Sequence, residues 1–349
     1  MKKTALVTGA TGVVGRNLVK YLLALPDWDV VCVSRRKPNL SGNYRHIAID
    51  LLDRADCDAK LAALTDVTHI FAAAYVERPT WGELVAPNLA LLVNTVEPIE
   101  RVAKNLQHVH VVHGTKWYGN HLGPFKTPAK ESDPRLPTPI FYYDQHDWLA
   151  QQQRGKSWTW STCRPHAICG LAIGNPMNLT TVIAVYAAIS KELGLPLYFP
   201  GTPGNFHALY QCSDSSHLAK AMVWMATTEK CANESFNITN GDLLRWENFW
   251  PRIAKFFDME VGPIRTIKLA EFMADKGPVW DRIVKKYGLQ PYSFDQIAAW
   301  PFGDFVFTPD YDIISDMGKA RRYGFGDAVD SEEMFLRLWD EFRREKIIP

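Results

Sequence analysis

Residues 4–15 read Thr-Ala-Leu-Val-Thr-Gly-Ala-Thr-Gly-Val-Val-Gly, a short apolar run followed by three spaced glycines. The apolar run predicts a buried parallel strand. Beyond the glycines, Val14, Leu18 and Leu22 recur at helical spacing and predict a helix. Strand, glycine turn and helix are the context that a dinucleotide-binding fingerprint requires. The stretch therefore predicts a site for a pyrophosphate at the start of the first helix.

Each glycine of this turn has a predicted task. Gly9 permits the tight turn, Gly12 lets the backbone approach a pyrophosphate, and Gly15 allows the helix to pack close to the strand. The amino end of the helix supplies N–H groups and the positive end of the helix dipole. We therefore expect the following residues to bind the cofactor: Gly9, Thr11, Gly12, Val13 and Val14.

Strands and helices alternate through the first half of the chain. Further strands are predicted at 30–33, 47–51, 68–74, 109–113 and 158–163, and a helix is predicted at 88–105. This alternation predicts an α/β fold of the Rossmann type, a doubly wound parallel sheet covered by helices on both faces. Ligands of such sheets bind outside the carboxyl ends of the strands.

The residues after the second predicted strand bear on the choice of nicotinamide cofactor. A site for NAD usually has Asp or Glu here, but this chain has Ser34, Arg35 and Arg36. A carboxylate would repel a 2′-phosphate, whereas serine and arginine bind it through charge-assisted hydrogen bonds. The sequence therefore favours NADP(H). Asp50, followed by Leu51, ends the third predicted strand and is a candidate partner of the adenine amino group.

Composition argues against several classes of protein. The chain has 349 residues, with 39 Lys and Arg against 38 Asp and Glu, so bulk charge gives no reason to expect a nucleic-acid or membrane partner. No apolar run approaches the roughly 18 residues of a membrane span. The six cysteines show no Cys-x-x-Cys spacing, and no cluster has the spacing of metal ligands, so no metal is predicted. We expect a reduced, cytoplasmic protein.

The chain lacks the catalytic motif that short-chain dehydrogenases normally carry. In the Tyr-x-x-x-Lys motif the phenol exchanges a proton with the substrate oxygen, and the lysine one turn later lowers the phenol pKa. Here Tyr142 is followed at that distance by His146, and Tyr143 by Asp147. A lysine occurs instead at Lys116, just after the fifth predicted strand.

Several motifs together resemble one family. Residues 114–119 read Gly-Thr-Lys-Trp-Tyr-Gly, residues 123–125 read Gly-Pro-Phe, residues 139–143 read Pro-Ile-Phe-Tyr-Tyr, and residues 301–304 read Pro-Phe-Gly-Asp. These motifs resemble the progesterone 5β-reductase and iridoid synthase family, NADPH-dependent enone 1,4-reductases of the extended short-chain superfamily. The resemblance covers the whole chain. It departs from the plant pattern at Ile140, where asparagine is usual.

The resemblance implies roles for individual residues. It assigns Tyr143 as the catalytic phenol and Lys116 as its partner. The implied cofactor contacts, besides those named above and these two residues, are Ala72, Ala73, Gly114, Thr115, Pro165, Ala167 and Ile168. The substrate residues that we expect are Tyr75, Phe125, Tyr142, Met177, Phe206, Trp300 and Phe302, with Phe305 and Phe307 as further apolar candidates.

The predicted organisation has two parts. Residues 1–174 form the NADP-binding Rossmann domain, to which 210–240 return, and 175–349 form mainly a smaller, mostly helical substrate-binding region. A homodimer is the candidate assembly.

The predicted function is reduction of an activated C=C bond. Hydride adds to the β-carbon of an α,β-unsaturated carbonyl compound, and Tyr143 and Lys116 stabilise the resulting enolate. Two alternatives stay open, a sugar-nucleotide epimerase or dehydratase of the same superfamily and a regulator that binds NADP without turnover. An epimerase or dehydratase would have an intact Tyr-x-x-x-Lys motif. A regulator without turnover would usually lack both catalytic residues.

Overall fold

The computed structural model describes residues 2–349. Strands within these residues are β1 (Lys3–Thr8), β2 (Trp28–Ser34), β3 (Arg45–Ala48), β4 (His69–Ala72), β5 (His108–Val112), β6 (Thr159–Pro165), β7 (Ala167–Cys169), β8 (Leu197–Phe199), β9 (Cys212–Asp214), β10 (Glu234–Ile238) and β11 (Val261–Ile264).

The helices in the first two thirds of the chain are α1 (Val13–Leu23), α2 (Arg54–Leu61), α3 (Trp81–Val102), α4 (Phe141–Gln153), α5 (Leu179–Glu192), α6 (Pro203–His207) and α7 (Ser215–Thr227). Those in the last third are α8 (Trp246–Phe256), α9 (Leu269–Phe272), α10 (Gly277–Tyr287), α11 (Phe294–Ile297), α12 (Trp300–Phe307), α13 (Gly318–Arg322) and α14 (Ser331–Arg344). Short 3₁₀ helices lie at Thr115–Tyr118 and Glu229–Cys231.

The central sheet has seven strands in the order β3-β2-β1-β4-β5-β6-β10, and every neighbouring pair is parallel. Alternate residues of β1 point to opposite faces, so Val7 packs with α1 and α7, whereas Leu6 packs with α2 and α3. Helices therefore cover both faces. The predicted Rossmann-type fold is confirmed.

The remaining helices pack around a second core. Four tryptophans on α8, α10 and α14 are completely buried there: Trp246, Trp250, Trp280 and Trp339. Two small two-stranded sheets lie outside the main sheet and pair β8 with β11 and β7 with β9. Strand β10, which comes after β7, β8 and β9 in sequence, pairs with β6 at the edge of the main sheet. The domain boundary at residue 174 stays a prediction.

Element boundaries differ from the sequence pattern where capping decides them. Helix α3 begins at Trp81, seven residues before the predicted start, because Thr80 and Glu83 form a reciprocal capping box. The third strand ends at Ala48, so Asp50 lies just beyond the strand. Helix α12 lies where the sequence suggested only an aromatic segment, and Pro301 occupies its first turn.

Within residues 2–349, no helix combines the length and hydropathy that a bilayer crossing requires. The cytoplasmic location and the homodimeric state stay predictions.

Candidate active site

A long cavity opens at the carboxyl ends of the parallel strands. Its lining starts at the glycine turn after β1, passes the ends of β2, β4, β5 and β6, and reaches the helical part at α12. Every predicted cofactor residue except Tyr143 lines it: Gly9, Thr11, Gly12, Val13, Val14, Ser34, Arg35, Arg36, Asp50, Leu51, Ala72, Ala73, Gly114, Thr115, Lys116, Pro165, Ala167 and Ile168. Because parallel strands end at one edge, residues distant in sequence meet here.

Two glycines of the turn lie against backbone atoms, whereas the third, Gly12, leaves space at the start of α1 where a phosphate group could bind. Gly9 has φ +65°, and a Cβ there would lie 2.5 Å from the Ala73 carbonyl oxygen. A Cβ on Gly15 would overlap the Gly9 carbonyl oxygen. Around Gly12, by contrast, the nearest atom to such a Cβ is 3.4 Å away. No side chain caps α1 at Gly12, so its first turn offers N–H groups to a pyrophosphate.

Two arginines follow β2 beside this turn. The Ser34 hydroxyl donates to the Arg36 carbonyl oxygen at 2.7 Å, which ties the turn together. Arg35 and Arg36 are exposed along the cavity. Asp50 lies further along the rim, and one of its carboxylate oxygens accepts a hydrogen bond from the Leu52 N–H at 3.0 Å. The residues here fit the adenosine half of a dinucleotide.

Tyr142 brings a phenol into the opposite part of the cavity. It lies in the first turn of α4, and its ring is within 5.1 Å of the His113 ring, measured between centroids. A Cβ at residue 114 would lie 3.0 Å from its hydroxyl oxygen, so Gly114 makes room for this phenol. Burial raises the pKa of Tyr142 above its usual value, which keeps the phenol protonated.

Tyr143, in contrast, points away from the cavity. Its hydroxyl donates to the Trp117 carbonyl oxygen at 2.6 Å and accepts from the Leu136 N–H at 3.2 Å. Consecutive residues of a helix point about 100° apart, and here Tyr142 lines the cavity whereas Tyr143 does not. The placement of Tyr143 therefore does not fit the catalytic and cofactor-contacting role that the sequence assigned to it.

Lys116 reaches the same end of the cavity as Tyr142. It lies in the 3₁₀ helix after β5, and its Nζ is 4.5 Å from the Trp81 ring centroid. Its Nζ also lies 3.8 Å from the Met177 sulfur. Burial lowers the pKa of Lys116 to about 8, and the charge of Glu77 partly opposes that shift.

The predicted substrate residues separate into two groups. Four of them line the cavity: Tyr75, Tyr142, Met177 and Phe302. Three others lie outside its lining. Trp300 is buried and packs on Phe294 at 5.6 Å, and Phe206 packs on Phe199 at 4.8 Å. Phe125 packs edge-on to Tyr311 at 6.5 Å. These three aromatic side chains pack around the cavity but do not line it. The residue type alone does not distinguish an aromatic side chain that packs around a cavity from one that lines it.

Several polar residues of the cavity were not predicted from the sequence. Gln145 lies one turn after Tyr142 on α4 and therefore on the same face, a spacing from which it could have been found. Its Nε2 donates to the Asn88 carbonyl oxygen at 2.8 Å, and its Oε1 is buried without a partner. Asn120 and Glu77 also line the cavity, and neither belongs to a motif.

No group of three or more metal-binding side chains occurs among residues 2–349.

Comparison with known proteins identifies the family. Residues 47–349 match the family described as the PRISE-like Rossmann-fold domain. The chain is 37% identical to an (S)-8-oxocitronellyl enol synthase of Nepeta racemosa, with 100% of this chain and 94% of the relative covered. It is 34% identical to a 3-oxo-Δ(4,5)-steroid 5β-reductase of Arabidopsis thaliana, again over 100% and 94%. A short-chain dehydrogenase of Penicillium aethiopicum is 32% identical over the full length of both chains.

Solved structures with this fold are more distant in sequence. A UDP-glucose 4-epimerase of Thermotoga maritima superposes with a TM-score of 0.71 at 16% identity, covering 98% of this chain and 99% of the epimerase. A UDP-glucuronic acid 4-epimerase of Bacillus cereus, solved with NAD, superposes with a TM-score of 0.68 at 14% identity and the same coverage. At these identities the likeness shows the fold alone. The family match and the full-length relatives show that this chain belongs to the PRISE-like Rossmann-fold family, a group of oxidoreductase-type enzymes of the extended short-chain dehydrogenase/reductase class.

Proposed function

We propose that the protein is an NADPH-dependent reductase of the C=C bond in α,β-unsaturated carbonyl compounds, both enones and enals. The observation that carries the proposal is the presence of Tyr142 and Lys116 in one cavity with the glycine turn of a dinucleotide site. The names of two relatives support it, since a 3-oxo-Δ(4,5)-steroid is an enone and the other relative is named an enol synthase.

NADPH is the proposed cofactor because of the residues after β2. Ser34, Arg35 and Arg36 line the cavity at the position where an NAD site usually has a carboxylate. Two exposed guanidinium groups favour the extra phosphate of NADPH electrostatically. Asp50, further along, is the proposed partner of the adenine amino group.

Bound NADPH supplies a hydride, which adds to the β-carbon of the substrate. Negative charge then accumulates on the carbonyl oxygen as an enolate. We propose that Tyr142, rather than Tyr143, donates a hydrogen bond to that oxygen. Its hydroxyl lies in the cavity beside Gly114, and its raised pKa keeps the proton in place as a donor. The Tyr143 hydroxyl already has two backbone partners.

Lys116 has the proposed role of keeping this end of the cavity positive. Its ammonium group lies among apolar and aromatic side chains, where a charge acts over a longer distance than in water. The substrate itself is held by the apolar side chains of Tyr75, Met177, Phe302 and Phe305. A lining of this kind favours a hydrophobic enone or enal over a sugar nucleotide.

The direct test is NADPH oxidation with a cyclic enone and with a linear enal. Deuterium from the reactive position of labelled NADPH is expected at the β-carbon of each product. Label at the carbonyl carbon would indicate an alcohol-forming reductase, and absence of turnover on a broad panel of both substrate classes would contradict the proposal.

A further inference from the structure

A second cavity, of about 640 Å³, shares no lining residue with the first. Its walls come from the loop at 130–135, the carboxyl end of β6 and the start of β10. The 3₁₀ helix after β5 borders both cavities, because Lys116 lines the first and Trp117 lines the second. The proposed reaction takes place in the first cavity and leaves the second without a role.

Arg164, at the end of β6, brings a buried guanidinium group to the second cavity. The residue is 2% exposed, and its guanidinium carbon lies 3.7 Å from the Trp117 ring centroid. Both of its hydrogen bonds leave from Nη1, one to the Tyr118 hydroxyl at 2.9 Å and one to the Glu131 carbonyl oxygen at 3.3 Å. Nε is buried and has no partner. The edge of the planar group that carries Nε and Nη2 therefore forms no hydrogen bond within residues 2–349.

No carboxylate within residues 2–349 forms an ion pair with Arg164. Glu131 also lines the cavity, but its Oε1 accepts a hydrogen bond from the Asn237 N–H at 2.8 Å, and burial raises its pKa. A buried charge without a counterion is costly, and an anion that enters the cavity from solution would offset that cost. The other carboxylates of the lining already face cations: Glu234 pairs with Lys319, Asp316 with Lys130, and Asp133 with Lys126.

We propose that the second cavity binds a small molecule that carries one carboxylate on an aromatic or apolar body. A carboxylate is planar and accepts two parallel hydrogen bonds from the free Nε/Nη2 edge of Arg164. The rings of Trp117 and Trp160 line the cavity and offer apolar surface to the body of the ligand. Arg322, which is exposed and forms no ion pair within residues 2–349, adds positive charge to the lining.

The charges of the lining favour a single negative charge on the ligand. A phosphate dianion would bring a second charge close to the carboxylates of Glu131, Glu234 and Asp316, and like charges repel at short distance. A carboxylate neutralises Arg164 with one charge and matches its planar geometry. The site is therefore expected to prefer a monocarboxylate to inorganic phosphate.

The test is a titration of the full-length protein with para-fluorobenzoate, followed by fluorine NMR line broadening. The matched neutral probe, para-fluorobenzamide, is expected to bind at least about tenfold more weakly, because it has no charge to pair with Arg164. Inorganic phosphate is expected to compete weakly, and excess NADPH is expected to leave benzoate binding unchanged, because the two cavities share no lining residue. Equal binding of the benzamide, or displacement of benzoate by NADPH, would overturn the proposal.

Four variants locate the bound carboxylate. Arg164→Lys keeps the positive charge without the two-donor edge, so affinity for para-fluorobenzoate should fall at least about tenfold. Arg322→Ala removes an exposed charge and should weaken binding about two- to threefold. Glu131→Gln removes a negative charge from the lining and should strengthen binding. Arg344→Ala, an exposed arginine outside the cavity, is the control and should change nothing.

Circular dichroism checks that each variant folds. If Arg164→Lys does not fold, the opposite shifts expected for Arg322→Ala and Glu131→Gln still decide the matter. Unchanged affinity in both of these variants would overturn the proposal. Because the titration needs no hydride transfer, its outcome is separate from a failure to reduce enones or enals.

Discussion

The two ends of the cavity are built from different parts of the chain. The nucleotide end consists mainly of backbone, namely a glycine turn, an uncapped helix terminus and the ends of adjacent strands, and Arg35 and Arg36 add their side chains after β2. The substrate end consists of side chains from α4, α12 and the 3₁₀ helix that carries Lys116. A backbone site depends on local sequence and sheet topology, whereas a side-chain site depends on which way each residue faces. Four pairs of substitutions test this contrast.

The largest expected effect separates the lining of the substrate end from its packing. Trp300→Ala removes a ring that is only 7% exposed, so we expect a loss of about 3–5 kcal/mol in the free energy of unfolding. Phe302→Ala removes a partly exposed ring that lines the cavity. We therefore expect a higher KM for bulky enones and a smaller loss in the free energy of unfolding than for Trp300→Ala. Urea denaturation and steady-state kinetics measure both. A reversed pattern would show that Trp300 is the substrate contact.

The second test concerns the two tyrosines of α4. If the Tyr142 hydroxyl stabilises the enolate, Tyr142→Phe should lower kcat by about 10²–10³, or roughly 2.7–4 kcal/mol, while NADPH binding stays intact. The loss should be largest for weakly activated enones. Tyr143→Phe is the matched control and should affect stability through its lost bonds to Trp117 and Leu136 more than turnover. A greater kinetic loss in the Tyr143 variant would restore the prediction made from the sequence.

The third test uses two glycines of the nucleotide end. Gly15→Ala puts a methyl group against the Gly9 carbonyl oxygen and should cost about 1–3 kcal/mol of folding stability. Gly12→Ala meets nothing closer than 3.4 Å, so the free protein should stay nearly as stable. Its methyl group would instead obstruct a pyrophosphate, and NADPH titration should show weaker binding. Unchanged binding in the Gly12 variant would argue against a pyrophosphate at this turn.

The smallest expected effect is on cofactor choice. Arg35→Ala or Arg36→Ala should weaken NADPH binding about tenfold, or roughly 1.4 kcal/mol, because each removes one charged contact to an exposed phosphate. Affinity for NADH, which lacks that phosphate, should hardly change. Fluorescence titration with both cofactors measures the difference. Equal efficiency of the wild type with NADH and NADPH would contradict the proposed preference.

Local sequence was enough to predict the nucleotide end. The glycine spacing over 9–15 and the alternation of strands and helices imply the parallel sheet, and parallel strands necessarily end at one edge. Every residue predicted to contact the cofactor lines the cavity, with the exception of Tyr143. Even here the apolar spacing predicts too late a start for α3, because the capping box at Thr80 begins the helix at Trp81.

Only the tertiary structure decided the substrate end. The sequence does not show which of the adjacent residues Tyr142 and Tyr143 faces the cavity. The direction of each ring follows from how α4 packs against Trp117, Leu136 and Gly114. Trp300 and Phe302 likewise lie on one helix, one in the core and one in the cavity. The sequence by itself determined the fold and the position of the nucleotide turn, because these depend on periodicity and glycine spacing. It indicated the family through the resemblance of its motifs at 114–119 and 139–143. Orientation depends on contacts between distant segments, which periodicity does not encode.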